Sequence, residues 1–430
     1  MTDPNLREII IDILDEVLEQ GKYSHLVLKA TLDKYQYLPK NQRAFITRVT
    51  QGTIERMLQI DAVLDGTVKK PKVAKMKPMI RTILRSSVYQ ILFLDGVPDA
   101  AVCNEAVKLA KKRGYAGLSG FVNGVLRNIA RNKDSITYDS LSVEYSMPQW
   151  IIDEWSQQYD EATLRQMLAA LLAEKKTCVR VNTSRIARKE LMERLTGEAI
   201  TVEPCEQMED ALYIDGYDHL SQIPEFQQGY FYIQDFSSMM VAHVAGIRQG
   251  DHILDVCAAP GGKSLHAAEL LQNTGSVEAR DVSDYKVSLI QENIRRSGLT
   301  NIRAVKMDAT VLDPASVETA DIVLCDAPCS GLGVIADKPD IKYHMTPQKQ
   351  QDLVQLQRQI LSVVGQYVKP GGVLLYSTCT VYRGENQDNV AWFLQEHPEF
   401  MLETSQQLLP MAGTQDGFFY ARMRKKQDQT

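Results

Sequence analysis

The sequence predicts a multidomain protein with an all-α N-terminal domain, a small α/β middle module and a C-terminal α/β domain built on a doubly wound parallel sheet. A chain of 430 residues exceeds one ordinary domain, for which about 150 residues is a rough guide. Apolar residues recur at helical spacing as far as Ala130, whereas strand candidates alternate with helical stretches from Asp251 onward, as in parallel sheets. We place the three domains at residues 1–140, 141–235 and 236–430.

The N-terminal pattern is helical throughout. The stretch "VCNEAVKLAKKRG" repeats the amphipathic spacing of the first helix and ends at a glycine, a common helix stop. A basic run, "VKKPKVAKMKP" at residues 68–78, carries five lysines between prolines, which indicates a loop or a helix entry. An RNA contact and a solvated loop both fit this run. The apolar face of the first helix is formed by Leu6, Ile9, Ile10, Ile13, Leu14, Val17 and Leu18.

Charge is distributed unevenly along the chain. Residues 1–140 hold 22 Lys and Arg against 15 Asp and Glu, a net charge of +7, so the remainder carries −13 of the total of −6. An overall negative charge speaks against a simple nucleic-acid binder. A basic segment joined to an acidic one suits an RNA-facing module attached to a domain with another task. An ordinary solvated surface explains the same numbers, so charge alone leaves both interpretations open.

The cysteines and the apolar runs exclude several classes of protein. Seven cysteines are scattered and never form C-x-x-C, which argues against a disulfide framework or a zinc site and predicts no metal. No apolar run reaches the ~18 residues of a membrane span. The start, "MTDPNLREII", is unlike a secretory leader. We therefore expect a cytoplasmic protein without a membrane partner.

The middle of the chain has mixed character. A polar stretch at residues 131–150 is predicted to be a linker, and "ATLRQMLAALLAEK" is predicted to be a helix. Short strand-like pieces follow in "TCVRVNT", "ALYIDG" and "GYFYIQD". These features predict a small α/β module.

Five strand candidates follow in the C-terminal domain: "HILDV", "SVEARDV", "IRAVKMD", "ADIVLCD" and "GGVLLYSTCT". Each of them ends in a polar or reactive residue. In a doubly wound sheet, ligands bind beyond the carboxyl ends of the strands, so this coincidence predicts a binding site there. The strand-end residues are Asp255, Asp281, Asp308, Asp326 and Cys379.

The turn after the first of these strands is suited to a cofactor. In "DVCAAPGGKS", small residues and two glycines let the backbone approach a ligand at a helix N-terminus, although such turns are also common without a ligand. The stretch matches neither G-x-G-x-x-G nor the P-loop pattern. Asp281 is placed to accept hydrogen bonds from two ribose hydroxyls, and Asp308 could hold the exocyclic amine of an adenine. A ribose and an adenine without a phosphate motif indicate S-adenosylmethionine.

Two thiols and an acid follow the fourth and fifth strands. If these strands are neighbours, Asp326, Cys329 and Cys379 face one pocket, whereas Cys325 points into the core. A free cysteine is often only a small apolar residue. Chemistry can use this set, however, because a thiolate added to carbon 6 of cytosine, with nitrogen 3 protonated, makes carbon 5 able to attack an activated methyl group. Asp326 would act as the acid, which calls for a raised pKa in a closed pocket.

The motifs of the chain resemble those of one family. "DVCAAPGGKS", "DAPCSGLGVI", "PDIK", "YSTCT" followed by "GEN", and "DGFFYARM" are similar to the RsmB (Fmu/Sun) family of ribosomal RNA small-subunit cytosine-5 methyltransferases. The helical stretches "RSSVYQILFLDGVPDAAVCNEAVKLAKKRG" and "FVNGVLRNIAR" resemble its NusB-like RNA-binding domain. The resemblance implies a Rossmann-like, S-adenosylmethionine-dependent catalytic domain, a ribosomal RNA partner and a monomer.

The resemblance also implies a role for individual residues. Cys379 would be the nucleophile toward carbon 6, Cys329 would act in the elimination that releases the product, and Asp326 would lie beside both the methionine end and the cytosine. That cytosine would have to be unstacked, as in a loop or a locally opened helix. Asp281 would bind the ribose and Asp308 would lie near the adenine. The cofactor loop would comprise Cys257, Ala258, Ala259, Pro260, Gly261, Gly262 and Lys263.

One stretch departs from the family pattern, and three alternatives stay open. The family has basic residues before "PDIK", whereas this chain reads "VIADKPDIK", so the sequence leaves open how RNA is contacted at residues 336–338. The leading hypothesis is methylation of carbon 5 of a cytosine in 16S ribosomal RNA. The alternatives are the same chemistry on transfer RNA, a non-catalytic NusB-like RNA-binding factor, and an amino-group methyltransferase, which needs no thiol.

Overall fold

The computed structural model describes residues 4–198 and 200–427, which form two compact units. The first comprises the described residues up to Leu172 together with Asp337–His344. The second comprises Ala173–Ala336 and the described residues from Met345 onward. Within these described ranges, no helix has both the length and the apolar character needed to cross a membrane.

The described residues of the first unit form helices and no strand, which confirms the all-α expectation. The first helix begins where the Asn5 side chain accepts hydrogen bonds from the backbone N–H groups of Arg7 and Glu8, at 3.0 and 3.2 Å, an ordinary N-cap. Its apolar face is buried, including Ile10 and Leu14. The helices are α1 (Leu6–Leu18), α2 (Ser24–Lys34), α3 (Lys40–Glu55), α4 (Met57–Thr67), α5 (Pro78–Phe93), α6 (Asp99–Lys112), α7 (Ser119–Asn132), α8 (Leu141–Glu144), α9 (Gln149–Trp155) and α10 (Glu161–Leu172).

The stretch predicted as a linker contains structure. Residues 131–150 include the end of α7, the whole of α8 and the start of α9. The reason is a few well-placed apolar side chains, since Met147 and Ile151 are buried in an otherwise polar segment. The first compact unit continues to Leu172, and the domain limits at residues 140 and 235 stay predictions.

A four-stranded antiparallel sheet opens the second unit. Its strand order is β2-β3-β1-β4, and three of its strands lie in the predicted pieces. The sequence does not predict β2, because this short edge strand is mostly exposed and shows no apolar pattern. The elements are β1 (Thr177–Val181), α11 (Arg188–Gly197), β2 (Thr201–Pro204), β3 (Ala211–Asp215), α12 (Pro224–Gln227) and β4 (Phe231–Ile233).

A seven-stranded sheet forms the rest of the unit, in the order β10-β11-β9-β8-β5-β6-β7. The five predicted strands pair in parallel, and β8 and β9 are neighbours as expected. The sheet is nevertheless mixed, because β11 and β10 add an antiparallel edge. The elements of this part are α13 (Phe236–Ala245), β5 (His252–Asp255), α14 (Gly262–Leu270), β6 (Ser276–Asp281), α15 (Asp284–Ser297), β7 (Ile302–Lys306), β8 (Ala320–Asp326), α17 (Pro347–Val364), β9 (Val368–Thr378), α18 (Gln387–Glu396), β10 (Phe400–Leu408) and β11 (Phe418–Lys425). Between β8 and α17, the chain passes through α16 (Ile341–His344), which belongs to the first unit.

The "PDIK" motif lies in the segment that returns to the helical unit. Asp340 is buried and accepts hydrogen bonds from the backbone N–H and the hydroxyl of Ser24, at 3.0 and 2.5 Å. Lys342 is also buried and donates to the carbonyl of Glu55 at 2.8 Å. Burial lowers the pKa of the Lys342 ammonium to about 7. These two charged residues therefore anchor the segment within the helical unit.

Two helical glycines give a matched test of packing in this unit. A Cβ at Gly52 would lie 2.1 Å from the ring of the buried Tyr89, whereas nothing lies within 4 Å of one at Gly124. We expect Gly52→Ala to lower the free energy of unfolding by about 1–3 kcal/mol through overpacking. Gly124→Ala should raise it by up to about 1 kcal/mol through helix propensity. Thermal and urea unfolding of both variants measures this, and equal effects would contradict the assigned contact with Tyr89.

Candidate active site

The carboxyl ends of the parallel strands surround one cavity of about 560 Å³. Asp281 and Asp326 end β6 and β8, and Cys379 follows β9 directly. The cavity brings together every predicted strand-end residue except Asp255, which is fully buried beneath it. Its lining is Val256, Cys257, Ala259, Asp281, Val282, Lys286, Met307, Asp308, Ala309, Thr310, Asp326, Ala327, Pro328, Cys329, Leu356, Gln359, Ile360 and Cys379.

The glycine loop after β5 closes against the end of β6. Gly261 precedes α14 with φ +105°, a conformation that favours glycine. The backbone N–H of Ala259 donates to Asp281 Oδ2 at 3.0 Å, and that of Val282 donates to Oδ1 at 2.8 Å. Each oxygen keeps a second lone pair, so Asp281 can still accept hydroxyl groups. The Lys286 ammonium lies 3.2 Å from this carboxylate.

Asp308 has a more open position. Its Oδ1 accepts hydrogen bonds from the backbone N–H and the hydroxyl of Thr310, at 2.9 and 2.7 Å. These hydrogen bonds lower the pKa of the Asp308 carboxyl, so it is ionised at neutral pH. A carboxylate at the rim of the cavity can accept a hydrogen bond from an amine.

Asp326 is held between a cation and a hydroxyl. Lys263 Nζ donates to its Oδ2 at 2.6 Å, and the hydroxyl of Ser377 donates to its Oδ1 at 2.7 Å. Burial by itself would lower the pKa of Lys263, but the charge of Asp326 raises it above its usual value. The lysine is therefore an ammonium. The sequence suggests a lone acid at Asp326, whereas the structure makes it one half of a proton-bearing pair.

The two thiols lie together. Cys329 Sγ is 3.2 Å from Cys379 Sγ. The hydrogen bond with Cys379, and then burial, raise the pKa of Cys329 well above its usual value. Cys329 therefore keeps its proton at neutral pH. Cys325, one residue before Asp326, is fully buried in the core behind the sheet, as predicted.

A buried amide orients the loop that carries Cys379. The side chain of Asn386 donates to the carbonyl of Thr380 at 3.0 Å and accepts from the hydroxyl of Thr378. It therefore holds the residues on either side of the cysteine. Asn386 is fully buried, so these hydrogen bonds are sheltered from water.

A buried carboxyl orients the other thiol loop. Glu385 accepts hydrogen bonds from the backbone N–H of Ser330 at 2.9 Å and from the side chain of Gln357 at 2.8 Å. Burial raises the pKa of Glu385. The "GEN" stretch supports the family resemblance, but the sequence assigns no role to Glu385 or Asn386. Their partners are distant in sequence, so only the motif itself could have indicated them.

A second, smaller cavity of about 250 Å³ adjoins the first. Four residues line both cavities: Cys257, Ala259, Asp326 and Cys379. Asp326 and Cys379 thus lie where the two cavities meet. The other residues of the smaller cavity are Ile233, Gln234, Asp235, Ser237, Ser238, Asp255, Ala258, Pro260, Gly262, Lys263, Val334, Asp416 and Phe418.

Comparisons with known proteins place the chain in a family. Residues 242–424 match the family described as 16S rRNA methyltransferase RsmB/F, residues 4–131 match the NusB family, and residues 147–219 match the ferredoxin-like domain of RsmF/B-like methyltransferases. The "Probable ribosomal RNA small subunit methyltransferase B" of Bacillus subtilis (strain 168) is 38% identical, over 99% of this chain and 100% of the relative. The chain belongs to the ribosomal RNA small subunit methyltransferase B family.

Solved structures extend the comparison for this family member. A crystal structure of PH0851 has a TM-score of 0.83 at 26% identity and covers 98% of this chain and 99% of its own. NSun6 from Pyrococcus horikoshii, solved with SFG, has a TM-score of 0.58 at 25% identity, over 65% of this chain and 99% of its own. SFG is an analogue of S-adenosylmethionine. This chain is an S-adenosylmethionine-dependent RNA methyltransferase with a Rossmann-like catalytic domain.

One acid next to the glycine loop has an unusual charge state. Asp255 is fully buried, and the hydroxyl of Ser264 donates to its Oδ2 at 2.5 Å. Burial, with a further contribution from the charge of Asp326, raises the pKa of Asp255 to about 7. Asp255 therefore holds a buried proton part of the time near neutral pH.

This pKa predicts a pH dependence of stability. Between about pH 4 and pH 7, the folded protein holds a proton at Asp255 that the unfolded chain has lost. The contribution of Asp255 to the free energy of unfolding therefore falls as the pH rises toward 7 and levels off above it. Relative to Asp255→Asn, the wild type should lose at most about 3 kcal/mol between pH 5 and pH 8. Urea unfolding across this range measures the difference. The control is Asp284→Asn, whose side chain is 86% exposed; a pH-independent difference for Asp255→Asn would refute the assignment.

Proposed function

We propose that this enzyme methylates carbon 5 of a cytosine in 16S ribosomal RNA through a covalent cysteine adduct, working in the cytoplasm as a monomer. The observation that carries the proposal is the position of Asp326 and Cys379 on both cavities. One cavity can hold a methyl donor and the other a base. An acid and a nucleophile at their junction are the groups that carbon-5 methylation of cytosine requires.

The larger cavity suits S-adenosylmethionine. Asp281 would accept the ribose hydroxyls, and Asp308 would accept the amine of the adenine. The loop from Cys257 to Lys263 would pass beside the cofactor at the N-terminus of α14, and Asp326 would lie near its methionine end. When bound, the cofactor supplies an electrophilic methyl group.

The protein's own groups prepare the cytosine. Cys379 Sγ adds to carbon 6, and nitrogen 3 takes a proton, which leaves an enamine whose carbon 5 is nucleophilic. We infer that the pair of Asp326 and Lys263 delivers this proton, because the ammonium donates directly to the carboxylate at 2.6 Å. Ser377 fixes the other oxygen of Asp326, so the carboxylate keeps one orientation.

Cys329 has a different role, in the release of the product. After methylation, carbon 5 must lose its proton, the bond between carbon 6 and sulfur must break, and nitrogen 3 must return the proton that it took to the pair of Asp326 and Lys263. Cys329 can give its own proton to the departing Cys379 sulfur, 3.2 Å away, and take the proton from carbon 5 in exchange. Its raised pKa suits a proton carrier better than an attacking thiolate.

The RNA contact is proposed for the helical unit. It matches the NusB family, and residues 1–140 carry an excess of seven positive charges. Positively charged side chains attract the phosphate backbone of RNA whatever its base sequence. The modified cytosine would have to leave its stack to reach the cavity, so a loop or a locally opened helix is the expected substrate.

The substrate assignment predicts a specific missing modification. Deleting the gene should remove one 5-methylcytidine from small-subunit ribosomal RNA, as read by mass spectrometry of nuclease fragments. Restoring the wild-type gene should restore it, whereas the Cys379→Ala variant should not. An unchanged ribosomal RNA map with a lost 5-methylcytidine in transfer RNA would favour the alternative substrate.

The roles of the two thiols predict opposite behaviour of two variants. Cys379→Ala should abolish turnover and form no adduct, because no sulfur reaches carbon 6. Cys329→Ala should still attack but release slowly, so a covalent protein–RNA adduct should accumulate and survive denaturing electrophoresis. The double variant is the matched control and should show no adduct. Normal product release by Cys329→Ala would overturn its role in elimination.

A further inference from the structure

Three residues outside the active site converge in the second unit. Asp210 precedes β3, His243 lies on α13 and His266 lies on α14. Asp210 Oδ2 is 3.4 Å from His243 Nε2 and 3.2 Å from His266 Nε2. The ring centroids of the two histidines are 4.9 Å apart at an interplanar angle of 81°. All three donor atoms lie within 4.8 Å of one another.

Two of these separations match those of a metal site as well as those of an ion pair. Zinc bonds to imidazole nitrogen and carboxylate oxygen are about 2.0–2.2 Å long and tetrahedral, which places neighbouring donor atoms about 3.3 Å apart. The two measured oxygen to nitrogen distances, 3.4 and 3.2 Å, bracket that value. Two imidazoles and a carboxylate are also the ligand types that suit zinc.

Buried polar atoms give independent support. His266 is 2% exposed, and neither of its ring nitrogens makes a well-aligned hydrogen bond, although Nε2 lies 3.2 Å from Asp210 Oδ2. Asp210 Oδ1 is also buried without a hydrogen-bond partner. Buried polar groups are normally satisfied, so an imidazole aimed at a carboxylate without a well-aligned hydrogen bond is the arrangement expected of a ligand pair.

The surrounding charges permit a cation. Arg180, a cation whose charge acts on His266, is fully buried and donates hydrogen bonds to both oxygens of Glu269, so its charge is compensated. Arg188 and Glu209 line the adjoining cavity of about 670 Å³ and are opposite in sign. With neutral histidines, the three donors then contribute one negative charge.

We propose that Asp210, His243 and His266 bind one Zn²⁺ ion, with the fourth position open to the adjoining cavity. The ion joins the turn before β3 to α13 and α14, and so fastens the four-stranded module to the methyltransferase sheet. It acts on α14, the helix that begins with the cofactor loop. The sequence predicts no metal because that expectation depends on cysteine spacing, and this site uses no cysteine.

Metal binding is tested on the full-length protein made without a polyhistidine tag. After removal of metal with a chelator, calorimetric titration with Zn²⁺ should show one equivalent per chain. His243→Ala removes a partly exposed ligand and should weaken Zn²⁺ binding by about 100-fold or more. Changes to residues that only contact the ligands already weaken metal binding by about 10–100-fold. Asp210→Asn should also weaken it. His252→Ala is the matched control, since His252 contacts Ser276 at 2.8 Å outside the cluster, and should leave binding unchanged.

Thermal stability and cobalt spectroscopy identify where the metal binds. Zn²⁺ should raise the melting temperature of the wild type but not of His243→Ala, because a ligand stabilises only the state that binds it. Co²⁺ should give a spectrum of nitrogen and oxygen ligation. A thiolate charge-transfer band would place the metal at Cys329 and Cys379 and overturn the proposal. Equal affinity of His243→Ala and the wild type, or iron in place of zinc in the protein as isolated, would also overturn it.

Discussion

The parallel pairing of β8 with β9 is the constraint from which the active site follows. Asp326 lies in register with Ser377, so the turns after both strands begin at the same height. Cys329 and Cys379 come three and two residues later. The turns are pinned together where the backbone N–H of Gly333 donates to the carbonyl of Cys379 at 3.0 Å. A Cβ at Gly333 would lie 2.9 Å from that oxygen and 2.0 Å from the carbonyl oxygen of Gly417. The close approach of the two turns, and with it the distance between the thiols, therefore requires glycine at position 333.

The site also has to accommodate several acids at neighbouring strand ends. Asp255, Asp281 and Asp326 would repel one another in a buried setting if all were charged without partners. The structure treats each one differently. Asp326 is paired with the ammonium of Lys263, Asp281 takes two backbone N–H groups and faces Lys286, and burial raises the pKa of Asp255 to about 7. The acids therefore coexist because two have cationic partners and the third holds a proton part of the time.

The parts that the sequence predicts are those with a strong local signal. Buried parallel strands are nearly continuous apolar runs, so the sequence predicts all five parallel strands of the large sheet. The helical spacing of apolar residues likewise predicts the all-α character of the first unit. The exposed strands β2 and β10 lack such a pattern. The positions of Glu385 and Asn386 depend on partners in other turns, and the cluster of Asp210, His243 and His266 spans three separate elements. Sequence spacing cannot predict contacts between such residues, because only the folded chain brings them together.

One face of α14 connects these observations. Lys263, His266 and Glu269 are spaced three residues apart and so lie along one side of the helix. They meet Asp326, Asp210 and Arg180 respectively. Two of these partners belong to the four-stranded module and its turns, and one belongs to the catalytic sheet. Polar contacts are directional, whereas apolar packing tolerates sliding. The module is therefore held against the same helix that follows the glycine loop, and its position and the orientation of Lys263 are set together.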